Sequence, residues 1–337
     1  MKAIVIGSGV ISSAHIEAYR KKGIEIASIV DPVREAREKA AETWGIPHTA
    51  ATLEEALAYH PDVASLCTPN YLHAPHAVAL LEAGVDVISE KPMARTVREC
   101  DAMIEAAERT GKRLFVAHSQ RLDPPHQHLI DVMRAGTLGK PVMVISTFIG
   151  DEYRRMNDPA NWKGDFEHSG GGVLIDNGSH MINMLLGAFG PVESVESIGT
   201  RALIQPEHKA EDTSVVYLKL RNRTVASLTV TFVARACSFP KGYCGCAIRT
   251  EVVAEKGFVT AGNGTPAFQI VDNEGNTLER YEKENEVPAP RPNVLAHILD
   301  CIRDGSEPFV TMYDARETVR VIEAAYRSAR EGVRVSL

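Results

Sequence analysis

The chain has 337 residues, 44% apolar and 24% charged, ordinary globular values that exclude a disordered or collagen-like polymer. Its formal charge is −7, with 13 basic against 16 acidic groups in residues 1–120 and 24 against 28 in 121–337. Neither half has the basic excess that nucleic acid or an anionic membrane surface would need, and no apolar run approaches the ~18 residues of a membrane span.

Residues 1–120 alternate strand and helix signals. Runs rich in Val and Ile at 3–6, 24–30, 63–67, 85–89 and 114–117 read as strands, and the amphipathic stretches 11–22, 33–44, 53–59, 73–83 and 96–109 read as helices. Gly23, Gly84 and Gly111 stand where a helix would stop. Fully apolar strands separated by helices predict a parallel sheet covered on both faces. Met1-Lys2 leads straight into the first strand, which leaves no room for a signal peptide and makes a cytoplasmic protein the expectation.

After Arg121 the rhythm changes, so the expected boundary separates domains 1–120 and 121–337. A helix over 125–135 and a strand over 141–149 lead to a polar, aromatic-bearing loop at 151–169. A glycine triplet then opens a helix over 173–186. Strand candidates follow at 192–202, 213–220, 224–233, 250–255, 257–261 and 267–271, and helices return at 292–303 and 315–331. This pattern predicts an α+β domain with one large, mainly antiparallel open sheet. The six cysteines, at 67, 100, 237, 244, 246 and 301, form no Cys-x-x-Cys pair, so reduced thiols and no metal site are expected.

Gly7-Ser8-Gly9-Val10-Ile11-Ser12 lies between the first strand and the first helix. The first glycine allows a tight turn, the second lets a pyrophosphate approach the backbone, and the helix N-terminus supplies a positive dipole. Serine replaces the usual third Gly or Ala but is still small. Asp31, at the end of the second strand, can accept hydrogen bonds from ribose hydroxyls and repel a 2′-phosphate, which favours NAD over NADP. Asp31 can also cap the next helix, and the two roles are compatible.

Two more motifs carry chemistry: Glu90-Lys91-Pro92 at a strand end, and the run from Gly170 to His180, in which Asp176 and His180 are four apart on a predicted helix. Together with His15, Cys67-Thr68-Pro69-Asn70-Tyr71-Leu72-His73 and Gln120-Arg121-Leu122-Asp123-Pro124, these resemble the Gfo/Idh/MocA (glucose–fructose oxidoreductase / inositol dehydrogenase) superfamily along nearly the whole chain. The resemblance implies an N-terminal Rossmann domain, a C-terminal domain forming a substrate cleft and oligomer face, a cis peptide before Pro92, and catalytic roles for Lys91, Asp176 and His180. Asn183 stands where many relatives have Asp, which questions a charged role there.

Oxidising a secondary alcohol sends a hydride to nicotinamide while the hydroxyl proton leaves. His180 is assigned as the base and Lys91 as the cation facing the developing alkoxide, with Asp176 orienting Lys91 or binding a neighbouring hydroxyl; the reverse, Lys91 as base, stays open. Expected cofactor contacts are Gly7, Gly9, Val10, Ile11, Asp31, Thr68, Pro69, Asn70, His73, Glu90, Lys91 and Arg121. Expected substrate contacts are Lys91, Arg154, Trp162, Asp176, Asn177 and His180.

The leading reading is an NAD-dependent dehydrogenase of a sugar, sugar derivative or cyclitol, working as a homodimer or homotetramer. Two alternatives are a glycosidase or lyase that recycles NAD through transient sugar oxidation, and a non-catalytic dinucleotide sensor.

Overall fold

The computed structural model describes residues 1–158, 161–203, 209–234 and 246–337. The chain divides into two compact units, one formed by 1–118 with 292–316 and the other by 119–291 with 317–337. The return of 292–316 to the first unit is absent from the expected two-segment division. The apolar stripe of that helix is plain in the sequence, but nothing in it says which core it faces.

The first unit runs β1 (Lys2–Ile6), α1 (Ser12–Lys21), β2 (Glu25–Val30), α2 (Arg34–Trp44), β3 (His48–Ala50), α3 (Leu53–Leu57), β4 (Val63–Leu66), α4 (His73–Glu82), β5 (Asp86–Ser89), α5 (Val97–Thr110) and β6 (Leu114–Val116). The strands form one parallel sheet in the order β3-β2-β1-β4-β5-β6, the doubly wound arrangement that binds dinucleotides at the carboxyl ends of its central strands. Ala3, Ile4, Val5, Val63 and Leu66 are wholly buried, which explains why β1 reads as an apolar run and β4 as one interrupted only by the buried Ser65.

The second unit begins with α6 (Pro124–Ala135), β7 (Pro141–Gly150), α7 (Tyr153–Met156) and α8 (Phe166–Ser169), then a π-helix over Leu174–Gly178 that continues as α9 (Ser179–Phe189). The strands β8 (Val192–Thr200), β9 (Thr213–Leu220), β10 (Val225–Thr231), β11 (Cys246–Ala254), β12 (Gly257–Gly262), β13 (Phe268–Asp272) and β14 (Thr277–Tyr281) follow. After them come α10 (Val294–Asp304), which belongs to the first unit, α11 (Met312–Glu331), which runs from the first unit into the second, and β15 (Val335–Ser336).

Nine strands form one sheet in the order β14-β13-β12-β11-β7-β10-β9-β8-β15, antiparallel except for the β7–β10 pair. Burial alternates along β9, β10 and β11, so one face is covered and the other carries the half-exposed Met143, Ile145, Tyr217 and Val225. Helices α6 and α9 pack together and lie against the sheet, α9 on β7 and α6 on β12, with Leu129, Ile130, Ile182 and Leu185 buried.

Among the described residues no helix is long and apolar enough to cross a membrane, and no group of His, Cys, Asp and Glu is arranged to hold a metal. Cys67, Cys100, Cys246 and Cys301 are buried free thiols; Cys237 and Cys244 lie outside the described residues.

Candidate active site

In the first unit the turn after β1 is set by Gly7, at φ +94°, whose N–H donates to the Val30 carbonyl (2.7 Å). A Cβ there would lie 2.5 Å from the Cys67 carbonyl oxygen, so only glycine lets β1 and the end of β4 close on each other. Gly9 differs: a Cβ would meet no protein atom within 4 Å, so its cradle faces outward, beside the 92% exposed Val10 and the exposed Ile11. Ser12 occupies the third fingerprint position by donating its hydroxyl to the Gly9 carbonyl (2.6 Å).

Asp31 does not cap α2, whose N-cap is Val33 with no side-chain bond to the first-turn amides; it closes the turn before the helix and the glycine turn instead. Its Oδ1 accepts from Val33 N–H (2.9 Å), while Oδ2 accepts from Ser8 N–H (3.0 Å) and Ser8 Oγ (2.7 Å). A carboxylate has about four acceptor positions, so capacity remains for a ribose hydroxyl. Thr68 Oγ1 is buried with no hydrogen-bond partner among the described residues. A buried orphan hydroxyl is costly unless something else satisfies it. The outward cradle at Gly9, the remaining capacity of Asp31 and the Thr68 hydroxyl together fit NAD.

The Glu90-Lys91-Pro92 turn follows β5, and its Lys91–Pro92 peptide is cis. Glu90 Oε2 accepts from Lys91 N–H (3.1 Å) and Oε1 pairs with His15 Nε2 (3.0 Å). His15 Nδ1 hydrogen-bonds Ser65 Oγ (2.8 Å), which also meets the Tyr19 hydroxyl (2.7 Å). Burial alone would lower the His15 pKa, but Cys67 and Glu90 outweigh it and carry it up to about 10. Burial would likewise raise Glu90, but hydrogen bonding and charge from His15, with Lys91 beside it, hold its carboxyl below the usual range.

His73 is buried with Nδ1 at the Pro92 carbonyl and Nε2 at the Thr68 carbonyl, both 2.9 Å. Burial keeps its pKa below the ordinary imidazole value despite those carbonyls. Both ring nitrogens are therefore engaged within the chain, and His73 braces the two loops where the sequence reading made it a cofactor contact. Glu90 is bonded within the chain at each oxygen and keeps acceptor positions on both. Pro69 precedes the short 3-10 turn Asn70–Leu72 at the end of β4, and Asn70 is buried.

In the second unit, Asp176 and Asn177 lie on the π-helix and His180 in the first turn of α9. The expected ordinary helix over 173–186 is thus wrong at its start. Across 174–178 the chain makes a wider turn than 3.6 residues, of the kind found at functional sites. Asp176, expected to orient Lys91, accepts from Lys163 Nζ at 2.6 Å, both side chains being mostly buried. Lys163 also lies 5.9 Å from the Trp162 ring centroid. Sequence reasoning passed over Lys163 for its neighbour Trp162, and the spacing of 13 residues gives no local sign of the pair. His180 stacks near Phe148 of β7 (centroids 6.5 Å, 14° between planes).

Arg154 lies exposed on α7, where Asp151 to Arg155 line a cavity of about 450 Å³ in which Arg155 pairs with Glu152 (3.1 Å). Arg121, expected at the cofactor, is only 2% exposed and donates through Nε to the Asn183 carbonyl (3.2 Å). A Cβ on Gly187 would sit 2.3 Å from that Nε, so Gly187 makes room for the guanidinium against α9. Asn183 is fully buried and donates from Nδ2 to Thr318 Oγ1 (3.0 Å), a donor role that an ionised aspartate could not fill.

Two further residues escaped the sequence reading. Glu211, before β9, accepts from Gly172 N–H and Leu174 N–H (each 2.9 Å) and from the hydroxyl of Tyr326 on α11 (2.9 Å). Burial pushes both the Glu211 carboxyl and the Tyr326 phenol above their usual pKa ranges, the phenol further raised by Glu211.

A doubly wound unit with a glycine turn, an acidic residue closing β2 and a cis-proline turn at β5, joined to a second α/β unit, defines the class of two-domain NAD-binding oxidoreductases. The chain belongs to the Gfo/Idh/MocA oxidoreductase family: residues 1–118 match its NAD-binding Rossmann fold and residues 131–337 its C-terminal alpha/beta domain. It is 26% identical over 310 residues (90% of this chain, 96% of the relative) to a 4-carboxy-2-hydroxymuconate-6-semialdehyde dehydrogenase of Sphingobium. It is also 26% identical over 370 residues (100% and 97%) to a D-glucoside 3-dehydrogenase of Escherichia coli. Among solved structures it is similar to the WlbA dehydrogenase of Bordetella pertussis in complex with NADH and UDP-GlcNAcA, with 28% identity, a TM-score of 0.84, and coverage of 100% of this chain and 98% of that one.

Proposed function

We propose that the protein oxidises a secondary hydroxyl of a sugar, sugar derivative or cyclitol. The observation that carries this is a family match over both units in a chain that has Lys91, Asp176 and His180 in its sequence. Relatives named as glucoside and inositol dehydrogenases support the substrate class. NAD, when bound, supplies the hydride acceptor. Gly9, Val10, Ile11, Asp31 and Thr68 would hold it, with Pro69 and Asn70 at the end of β4 beside them.

Lys91 and His180 divide the remaining chemistry. One accepts the hydroxyl proton and the other stabilises the developing alkoxide by hydrogen bonding. Glu90, held by His15, fixes the Lys91 backbone. Asp176, with its charge balanced by Lys163, binds a neighbouring substrate hydroxyl, and Asn177, Trp162 and Arg154 supply further polar and stacking contacts. The half-exposed apolar face of the large sheet is where a homodimer or homotetramer would form.

Purified protein with NAD and a panel of sugars, cyclitols and glycosides tests this by NADH absorbance with product identification. NADH growth with a keto product is the expected result. Aglycone release without net NADH would replace it with redox-assisted elimination, and NAD binding without turnover of any panel member with a sensor. Lys91→Ala should abolish turnover and leave NAD affinity within about threefold; normal turnover in that variant would refute the assignment of Lys91.

A further inference from the structure

The first turn of the helix bearing Asp176, Asn177 and His180 is held from outside. Gly172 N–H donates to Glu211 Oε2 (2.9 Å) and Tyr326 Oη (3.1 Å), and Val173 N–H to the Glu211 carbonyl (3.0 Å). Leu174 N–H donates to Glu211 Oε1 (2.9 Å) and Ile175 N–H to Tyr326 Oη (3.3 Å). Only with Asp176 N–H, donating to the Gly172 carbonyl (3.2 Å), does the helix begin to use its own acceptors. An ordinary N-cap side chain satisfies one or two of the orphan amides. Here all four are taken by two residues distant in the chain, themselves bonded to each other at 2.9 Å.

The contact is as close as backbone allows. A Cβ on Gly172 would fall 1.9 Å from the Glu211 carbonyl oxygen, and one on Gly171 1.9 Å from Tyr326 Oη. Gly171 and Gly172 of the triplet thus serve this clamp, while Gly170 ends α8. A π-turn is a local departure from the favoured helix and persists where its surroundings fix it. Its start is fixed by Glu211 and Tyr326, and Asp176, Asn177 and His180 follow within nine residues of Gly172.

We propose that Glu211 and Tyr326 are positioning residues for the reaction: their shared clamp on the amides of 172–175 sets where Asp176 and His180 stand. This rests on the dehydrogenase function proposed above. Neither residue need touch substrate or cofactor; each acts through the backbone of the π-helix.

Tyr326→Phe and Glu211→Gln test it, each keeping side-chain shape, and the first suffices if the second does not fold. For each, kcat on the best panel substrate, its pH profile, NAD affinity, melting temperature and the imidazole carbon signal of His180 in labelled protein are measured. The expected result is a fall in kcat of at least about tenfold with a displaced pH profile and a shifted His180 signal, while NAD affinity stays within about twofold. A lowered melting temperature with wild-type kcat and pH profile overturns the proposal, because the clamp would then be structural only. If the wild type turns over nothing in the panel, the dehydrogenase reading has failed separately. The His180 signal then decides: displacement in both variants supports the clamp, and an unmoved signal overturns it.

Discussion

Replacing His15 by glutamine should flatten the alkaline limb of the stability curve. The ring is buried, bonded to Ser65 and Glu90, and its pKa in the fold is about 10 against 6.5 for the free side chain. A raised pKa means the folded state holds the proton more tightly. The resulting stabilisation is complete below pH 6.5 and is lost as pH rises through about 10. At about 1.4 kcal/mol per unit, raising the pH from 7 to 10 removes on the order of 3 kcal/mol. The two tryptophans fall one in each unit, Trp44 on α2 and Trp162 in the second unit. In a Trp162→Phe background, urea unfolding followed by Trp44 fluorescence therefore reports the first unit. Measured from about pH 6 to 10, the stability gap between the protein with His15 intact and the His15→Gln variant should close steadily. A gap that stays constant from pH 7 to 10 would mean a neutral ring in the fold and would refute the ion pair with Glu90.

The remaining predictions separate stability from binding. Gly9→Ala should leave the melting temperature unchanged, since its Cβ meets no protein atom within 4 Å, yet weaken NAD at least about tenfold by filling the cradle; unaltered affinity by calorimetry would remove Gly9 from the cofactor site. Thr68→Val removes a buried hydroxyl that has no partner among the described residues, so stability should hold or rise while NAD affinity falls by about threefold to tenfold. Lys163→Met leaves Asp176 without its 2.6 Å partner and should cost about 1–3 kcal/mol in urea unfolding, with a raised KM for the hydroxyl substrate and unchanged NAD affinity. Lys163→Arg should restore part of the KM, and equal KM values for Met and Lys would exclude the pair from substrate binding.

Much of the first unit was legible because its signals are local. Gly7, Asp31 and the apolar strands act on neighbours a few residues away or on adjacent strand ends. The strands that gave no sign, β3, β14 and β15, all lie at sheet edges, where a strand buries little and shows no clear alternation. The π-turn was hidden because apolar periodicity cannot distinguish it from an α-turn over five residues. Lys163 and Glu211 were missed for a different reason. Each is an ordinary charged residue in the sequence, and each acquires its role only through partners 13 to 115 residues away. His73 and Arg121, expected at the cofactor, are hydrogen-bonded to backbone carbonyls of their own units, a role that no local pattern announces.

The placement of α10 bears on how the chain is made. Leu295, Ile298, Leu299 and Cys301 pack into the same core as Ile16, Tyr19, Ile24 and Ile29 of the first unit. During synthesis, β6 leaves the ribosome about 180 residues ahead of α10. For that interval the surface of α1 that α10 later covers stands bare, a sticky face on a nascent chain and a docking place for chaperones. Residues 119–291 of the second unit emerge in that interval, so the dinucleotide unit is sealed only when nearly everything else has been translated. A fragment ending at residue 118 would keep that face open permanently, whereas a fusion carrying 292–316 on a short linker would close it.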